Sequence, residues 1–337
     1  MFKRGWGQIY YVAQQTTTNG SNMKQGLIRL CLILWLSGCI PQEQEPVIVA
    51  INPWPGYELL YLAEKKGFFK QVGANVQLYQ LDSLTDVQFA YINGNADGLT
   101  GTLVEAVQSQ VLSKQPLKIV MVPDYSNGGD VIIAEQSIDS LSDLKGKNIG
   151  CEVSTLGIYF LQRALHQAGL TLSDVKVVNV LPTDGYHALS VGSIDALVAY
   201  PPASVQLLKN QAYRAIFSSA DIPKEIIDVV LLSQQALTKN PQIVEQLHQA
   251  WDLAINEYLK NPSQAAAIMA GREQVGVEDF MAIINSQLVV MDSAEQRLLM
   301  SEAAGLQQSV VEVCRTLVAI GSLETDCESL PKMVVDF

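Results

Sequence analysis

The chain has 337 residues, enough for two domains, and 48% hydrophobic against 17% charged residues excludes global disorder. Lys and Arg number 22 and Asp and Glu 34, a net charge of −12. Four bases and no acid precede residue 39, so the remainder carries 18 bases against 34 acids, net −16, which repels phosphate backbones and excludes nucleic acid as a partner.

The first apolar stretch, Leu27 to Cys39, has an uninterrupted core of Leu30 to Leu36, far short of the roughly 20 residues of a spanning helix. Lys24 and Arg29 precede it, and Ser37 and Gly38 close it, the order of a secretory signal. Leu36-Ser37-Gly38-Cys39 resembles the bacterial lipobox, which implies cleavage before Cys39 and lipidation of that cysteine. Residues 1–38 are therefore expected to be a signal peptide, with Met23 as its true start, and 39–46 a polar lipidated leash.

Beyond the leash, β-branched runs alternate with helical patterns. Val47–Ile51 reads as a strand, Asn52–Gly56 as a loop and Tyr57–Lys66 as a helix stopped by Gly67. Strand Val76–Leu81, helix Ser83–Ile92, strand Ala96–Thr100, helix Leu103–Leu112 and strand Leu117–Val122 follow. This order predicts a parallel sheet covered by helices on both faces.

A second unit opens at Tyr125–Gly129. Strands are expected at Val131–Ala134, Asn148–Val153, Val175–Leu181 and Ala196–Tyr200, with helices at Leu156–Ala168 and Tyr186–Val191. Arg214–Phe217 and Val229–Leu232 bring the chain back as strands. Asn240-Pro241 and Asn261-Pro262 then start helices with proline at the first helical position. The layout is an α/β lobe, 47–127 plus 223–337, with a second α/β lobe, 128–222, inserted in it and a helical C-terminal return. Two crossings, near Tyr125–Gly129 and Ser218–Asp228, would act as a hinge. Cys314 and Cys327 could pair, although spacing alone leaves this open. Cys151 reads as a small buried hydrophobe.

The stretch Ile51-Asn52-Pro53-Trp54-Pro55-Gly56-Tyr57 with Leu59–Phe69 (LLYLAEKKGFF) resembles the opening of periplasmic substrate-binding proteins of the nitrate/sulfonate/taurine type, a group that includes carriers of thiamine pyrimidine precursors. Leu141–Gly146 (LSDLKG), Asn148–Thr155 (NIGCEVST), Tyr159–Ala164 (YFLQRA) and Val191–Pro201 (VGSIDALVAYP) resemble the same family further on. The resemblance implies a type II periplasmic-binding-protein-like fold that closes on a small molecule. It also implies delivery to an ABC importer, a permease with its ATPase. No GxxxxGK[ST] occurs, so the energy would come from partner chains. A monomer held to a membrane by its lipid is expected, with no cofactor and no metal. The rival readings are a ligand-sensing module for a membrane receptor, or an enzyme of pyrimidine or menaquinone biosynthesis on the same fold.

Ligands of open α/β sheets sit at the carboxyl ends of strands. That rule selects Asn52, Trp54 and Tyr57 after the first strand, and Gly101 and Thr102 after the third. In the second unit it selects Ser154 and Thr155, at a helix start suited to an anion, then Asp184, Tyr186 and Tyr200. Asn127 and Asp130 flank the hinge glycines. None of these is basic. Nearby Glu105, Asp130, Glu152 and Asp184 favour an amine or ring-nitrogen donor, as in an aminosulfonate or an aminopyrimidine, over nitrate.

Overall fold

The strands are short apolar runs because helices cover both faces of each sheet, leaving no polar face to alternate with. Val47–Ile51 (β1) is the pattern case, its alternate and neighbouring side chains nearly all buried. The computed structural model describes residues 45–113, 115–301 and 305–335. The expectations for the signal 1–38, the start at Met23, the lipidated Cys39 and the leash up to residue 44 lie outside the described residues. Among those described, no helix is long and apolar enough to cross a membrane.

After β1 come α1 (Glu58–Lys66), ended by Gly67 at φ 73°, and the short α2 (Phe68–Gln71). Then follow β2 (Val76–Gln80), α3 (Leu84–Ile92), β3 (Gly98–Thr102), α4 (Leu103–Leu112) and β4 (Leu117–Met121). Ser83 caps α3 by accepting from Asp86 N, and Thr102 caps α4 in a reciprocal box with Glu105. A short β5 (Asp124–Ser126) leads to β6 (Val131–Glu135), β7 (Asn148–Cys151), α5 (Leu156–Gln167), β8 (Lys176–Asn179), α6 (Gly185–Ser190), β9 (Ala196–Ala199), α7 (Ala203–Leu208) and β10 (Tyr213–Ser218). β11 (Asp228–Ser233) and α8 (Gln234–Lys239) precede the helical return. That return comprises α9 (Ile243–Lys260), α10 (Pro262–Glu273), α11 (Val277–Ser286), β12 (Leu288–Val290), α12 (Ser293–Met300) and α13 (Leu306–Ala319).

One sheet has the order β2-β1-β3-β11-β4 and the other β10-β6-β9-β7-β8, within one compact unit, Pro46–Phe337. The expected all-parallel first sheet is corrected: β1, β2 and β3 are parallel, but β11 enters between β3 and β4, antiparallel to both. The physical reason is the return path, since a strand arriving from the second sheet runs opposite to those that left the first. Its first residue, Asp228, therefore pairs in register with the last residue of β3, Thr102. The second sheet is mixed as well, with β6 antiparallel to β10 and β9.

The two crossings between the sheets are bonded to each other. Ser126 Oγ lies 2.7 Å from Ser219 Oγ, and Gly128 N donates to Ser219 Oγ at 2.6 Å. β5 also pairs antiparallel with β12, anchoring one crossing to the helical return. Arg272 at the end of α10 forms a buried ion pair with Glu58 at the start of α1 and bonds the carbonyl of Ile51 at 3.3 Å. Cys314 and Cys327 are joined in a disulfide.

Candidate functional site

The carboxyl ends of β1 and β3 and the amino end of the antiparallel β11 converge opposite the loops that follow β7 and β9. A narrow space of about 10 Å³ lies there, lined by Asn52, Trp54, Tyr57, Leu84, Thr102, Asp130, Leu156, Tyr200 and Asp228. That is room for about one water, far below the roughly 300–1,000 Å³ of ordinary ligand pockets, so a ring-sized ligand enters only if the two sheets part. Trp54 forms one wall, with its ring 6.2 Å from that of Tyr200 in an edge-to-face arrangement and 6.5 Å from that of Tyr57. Gly56 permits this crowding, because a Cβ there would collide with the Asp124 carboxyl and the Trp54 indole nitrogen.

Acid dominates this place. Asp124, Asp130 and Asp228 are buried, and oxygens on all three accept no hydrogen bond. The Tyr57 hydroxyl donates to Asp228 Oδ1, leaving Oδ2 open. Asp124 and Asp228 act on each other's titration, and the Trp54 indole nitrogen lies near Asp124 on the far side of Gly56. Burial pushes the Asp130 carboxyl up to about 7, opposed by a hydrogen bond with Ser126 and reinforced by Glu105. Burial likewise raises Asp124, while Asp228 goes well above the usual carboxylate range through burial and then the charge of Asp124. Among the described residues, no Lys, Arg or His lines the cavity. Empty of a positive partner, these groups hold protons near neutrality; beside one, they ionise.

Two further buried glutamates link the sheets. Glu105 accepts from Thr102 N and Oγ1, both at 2.7 Å, and from Leu156 N at 2.7 Å. Glu152 accepts from Thr85 Oγ1 at 2.9 Å and from the Tyr200 hydroxyl at 3.0 Å. Burial raises both pKa values against these bonds.

Of the residues chosen from sequence, Asn52, Trp54, Tyr57, Thr102, Asp130 and Tyr200 come together on the cavity. Gly101 lies behind it, where a Cβ would stand 2.9 Å from that of Glu105. Ser154 is half-buried, its Oγ 3.3 Å from Thr85 Oγ1, and Thr155 is buried with Oγ1 unpartnered. Asn127 lies on the crossing, its backbone N–H donating to the carbonyl of Gln287. Asp184 lines a wider outer groove shared with Tyr200, Arg272 and Glu273. Tyr186 is 52% exposed on α6 and stands apart from both.

At the start of α5, where an anion seat is expected at Ser154 and Thr155, the carboxylate of Glu105 accepts the N–H of Leu156. Asp124, Asp228, Leu84 and Leu156 were missed. The strand-end rule looks after strands, whereas Asp228 stands before one; the readable signal was an acid opening the fully buried run Asp228–Ser233. Cys151 is buried with its thiol pushed up to about 12, which leaves it no nucleophile. Among the described residues no group of three or more His, Cys, Asp or Glu could hold a metal ion.

A binding protein of Brucella abortus is 30% identical to this chain over 151 residues, 42% of this chain and 45% of its own. A Haemophilus influenzae protein named for thiamine biosynthesis is 27% identical over 181 residues, 52% of this chain and 57% of its own. The chain thus spans about half the length of these relatives. The solved alkanesulfonate-binding protein SsuA of Xanthomonas axonopodis pv. citri, bound to MOPS, has a TM-score of 0.71 at 16% identity, covering 84% of this chain and 96% of its own. That likeness is one of fold, the α/β periplasmic-binding-protein class expected from the sequence. A profile of the NMT1/THI5-like family matches residues 54–265, which carry nearly all of both sheets and of the cavity between them, and the chain belongs to that family.

Proposed function

We propose that this protein is a lipid-anchored extracytoplasmic solute-binding protein that captures a small amine- or ring-nitrogen-bearing molecule between two lobes, 47–127 with 223–337 and 128–222. It hands that molecule, as a monomer, to the permease of an ABC importer. The observation that carries the ligand class is the pair of buried aspartates on the cavity, Asp130 and Asp228, each with an open oxygen, with Asp124 buried beside Trp54 and no base lining the cavity among the described residues. Within that class we favour an aminopyrimidine. Its exocyclic N–H and protonated ring nitrogen present two parallel donors to one carboxylate, the geometry of strong bidentate pairs. Trp54 and Tyr200 offer faces and edges to its ring. The Haemophilus relative named for thiamine biosynthesis supports this choice.

The second reading, an aminosulfonate, draws on the likeness to the alkanesulfonate-binding protein. It requires a seat for the sulfonate, and the carboxylates around the cavity oppose one. Calorimetric titration with 4-amino-5-hydroxymethyl-2-methylpyrimidine and with taurine tests the choice. The pyrimidine is expected to bind at one site and taurine not; the reverse would replace the proposed ligand.

A further inference from the structure

Helix α5 begins where a ligand anion would ordinarily be held. It is 12 residues long, its N-cap Thr155 is completely buried, and Thr155 Oγ1 has no partner. First-turn N–H groups and the helix dipole favour negative charge at such a start. Leu156, whose N–H opens the helix, lines the cavity.

A side chain from the other sheet takes that place. Glu105, in the first turn of α4, sends Oε1 to Leu156 N at 2.7 Å while Oε2 holds Thr102 N and Oγ1. Gly101 makes the fold-back possible, since a Cβ there would press on Glu105 Cβ at 2.9 Å. The arrangement is reciprocal. Glu152, after β7, accepts from Thr85 Oγ1 at 2.9 Å and Thr85 N at 3.4 Å, in the first turn of α3. Each sheet thus closes a helix start of the other with its own carboxylate.

We infer that Glu105 is a specificity-determining residue, which occupies from within the chain the seat an oxyanion would take at α5 and so excludes sulfonates and carboxylates from the cavity. The inference rests on the reading that a solute enters between the sheets. An incoming anion would have to displace a carboxylate holding three short hydrogen bonds. It would then sit beside Asp130 and oppose the ionisation of that buried carboxyl. A cation meets neither obstacle.

The test uses the full chain as wild type, Glu105→Ala and Glu105→Gln, each titrated calorimetrically at pH 7.5 with methanesulfonate and with 4-amino-5-hydroxymethyl-2-methylpyrimidine. Removing the carboxylate should tighten methanesulfonate binding by about tenfold or more, the scale of one charge-assisted hydrogen bond. Glu105→Gln keeps the shape and should show a smaller gain in the same direction, which decides the matter if Glu105→Ala does not melt cooperatively. Methanesulfonate affinity equal to wild type in the folded variants overturns the inference, as does tight binding by wild type itself. The pyrimidine arm reads the ligand class separately: a wild type that ignores it refutes the aminopyrimidine and leaves the methanesulfonate comparison to decide the role of Glu105.

Discussion

Asp130 carries two opposed demands. An unfolded aspartate ionises near pH 3.9, whereas Asp130 keeps its proton to about 7 because burial penalises its charge. Between these values the native state holds more protons than the unfolded chain. This group therefore lowers stability as pH rises from about 4 to about 7, and the loss is complete above that window. Its size is on the order of 4 kcal/mol. Asp130→Asn should accordingly melt higher than wild type at pH 7.5 and close to it at pH 5, in differential scanning calorimetry. The same variant should bind the pyrimidine at least about tenfold more weakly, since one charge-assisted bond is lost. A variant less stable at both pH values would make Asp130 a structural residue and not a ligand partner.

At the scale of elements, the site depends on how strands and crossings meet. Gly129 shows this. A Cβ there would approach Trp54 Cη2 at 2.8 Å and Ser126 Oγ at 3.1 Å, so the crossing and the cavity wall share one packing contact. Gly129→Val is expected to cost about 1–3 kcal/mol by overpacking and to weaken ligand binding by displacing Trp54. Chemical denaturation and calorimetry together would check it; unchanged affinity would separate the crossing from the site. The apolar runs β1, β4, β6 and β9 were legible in sequence because burial on both faces makes them continuous. The three-residue strands β5 and β12 were not, since neither is long enough to carry a period. Nor was the place of β11, which depends on a pairing with β3 more than 120 residues earlier in the chain. That one insertion hid Asp228, whereas Trp54 and Thr102 were found because they follow parallel strands.

At the scale of the whole molecule, the helical return is tied to the first sheet. The buried Arg272–Glu58 pair ties the helical return to the end of β1; removing one partner of such a pair costs about 3–5 kcal/mol. The two sheets are tied by Glu105 and Glu152, and 128–222 is further joined to 223–337 by the ion pairs Arg163–Glu225 and Lys209–Asp279. Contacts of the proposed ligand with Trp54 and Asp228 on one side and Asp130 and Tyr200 on the other would be satisfied together only when the sheets approach, so ligand would shift the population toward closure. Small-angle scattering should give a smaller radius of gyration with saturating pyrimidine than without it. Identical profiles at saturation would mean a fixed cleft.

The most direct measurement is a crystal structure grown with 4-amino-5-hydroxymethyl-2-methylpyrimidine. The account predicts the ring beside Trp54 and Tyr200, with its amino group and ring nitrogen within hydrogen-bonding distance of Asp130, Asp124 or Asp228. A ring held at the start of α5 in place of Glu105, or bound outside this cavity, would contradict it.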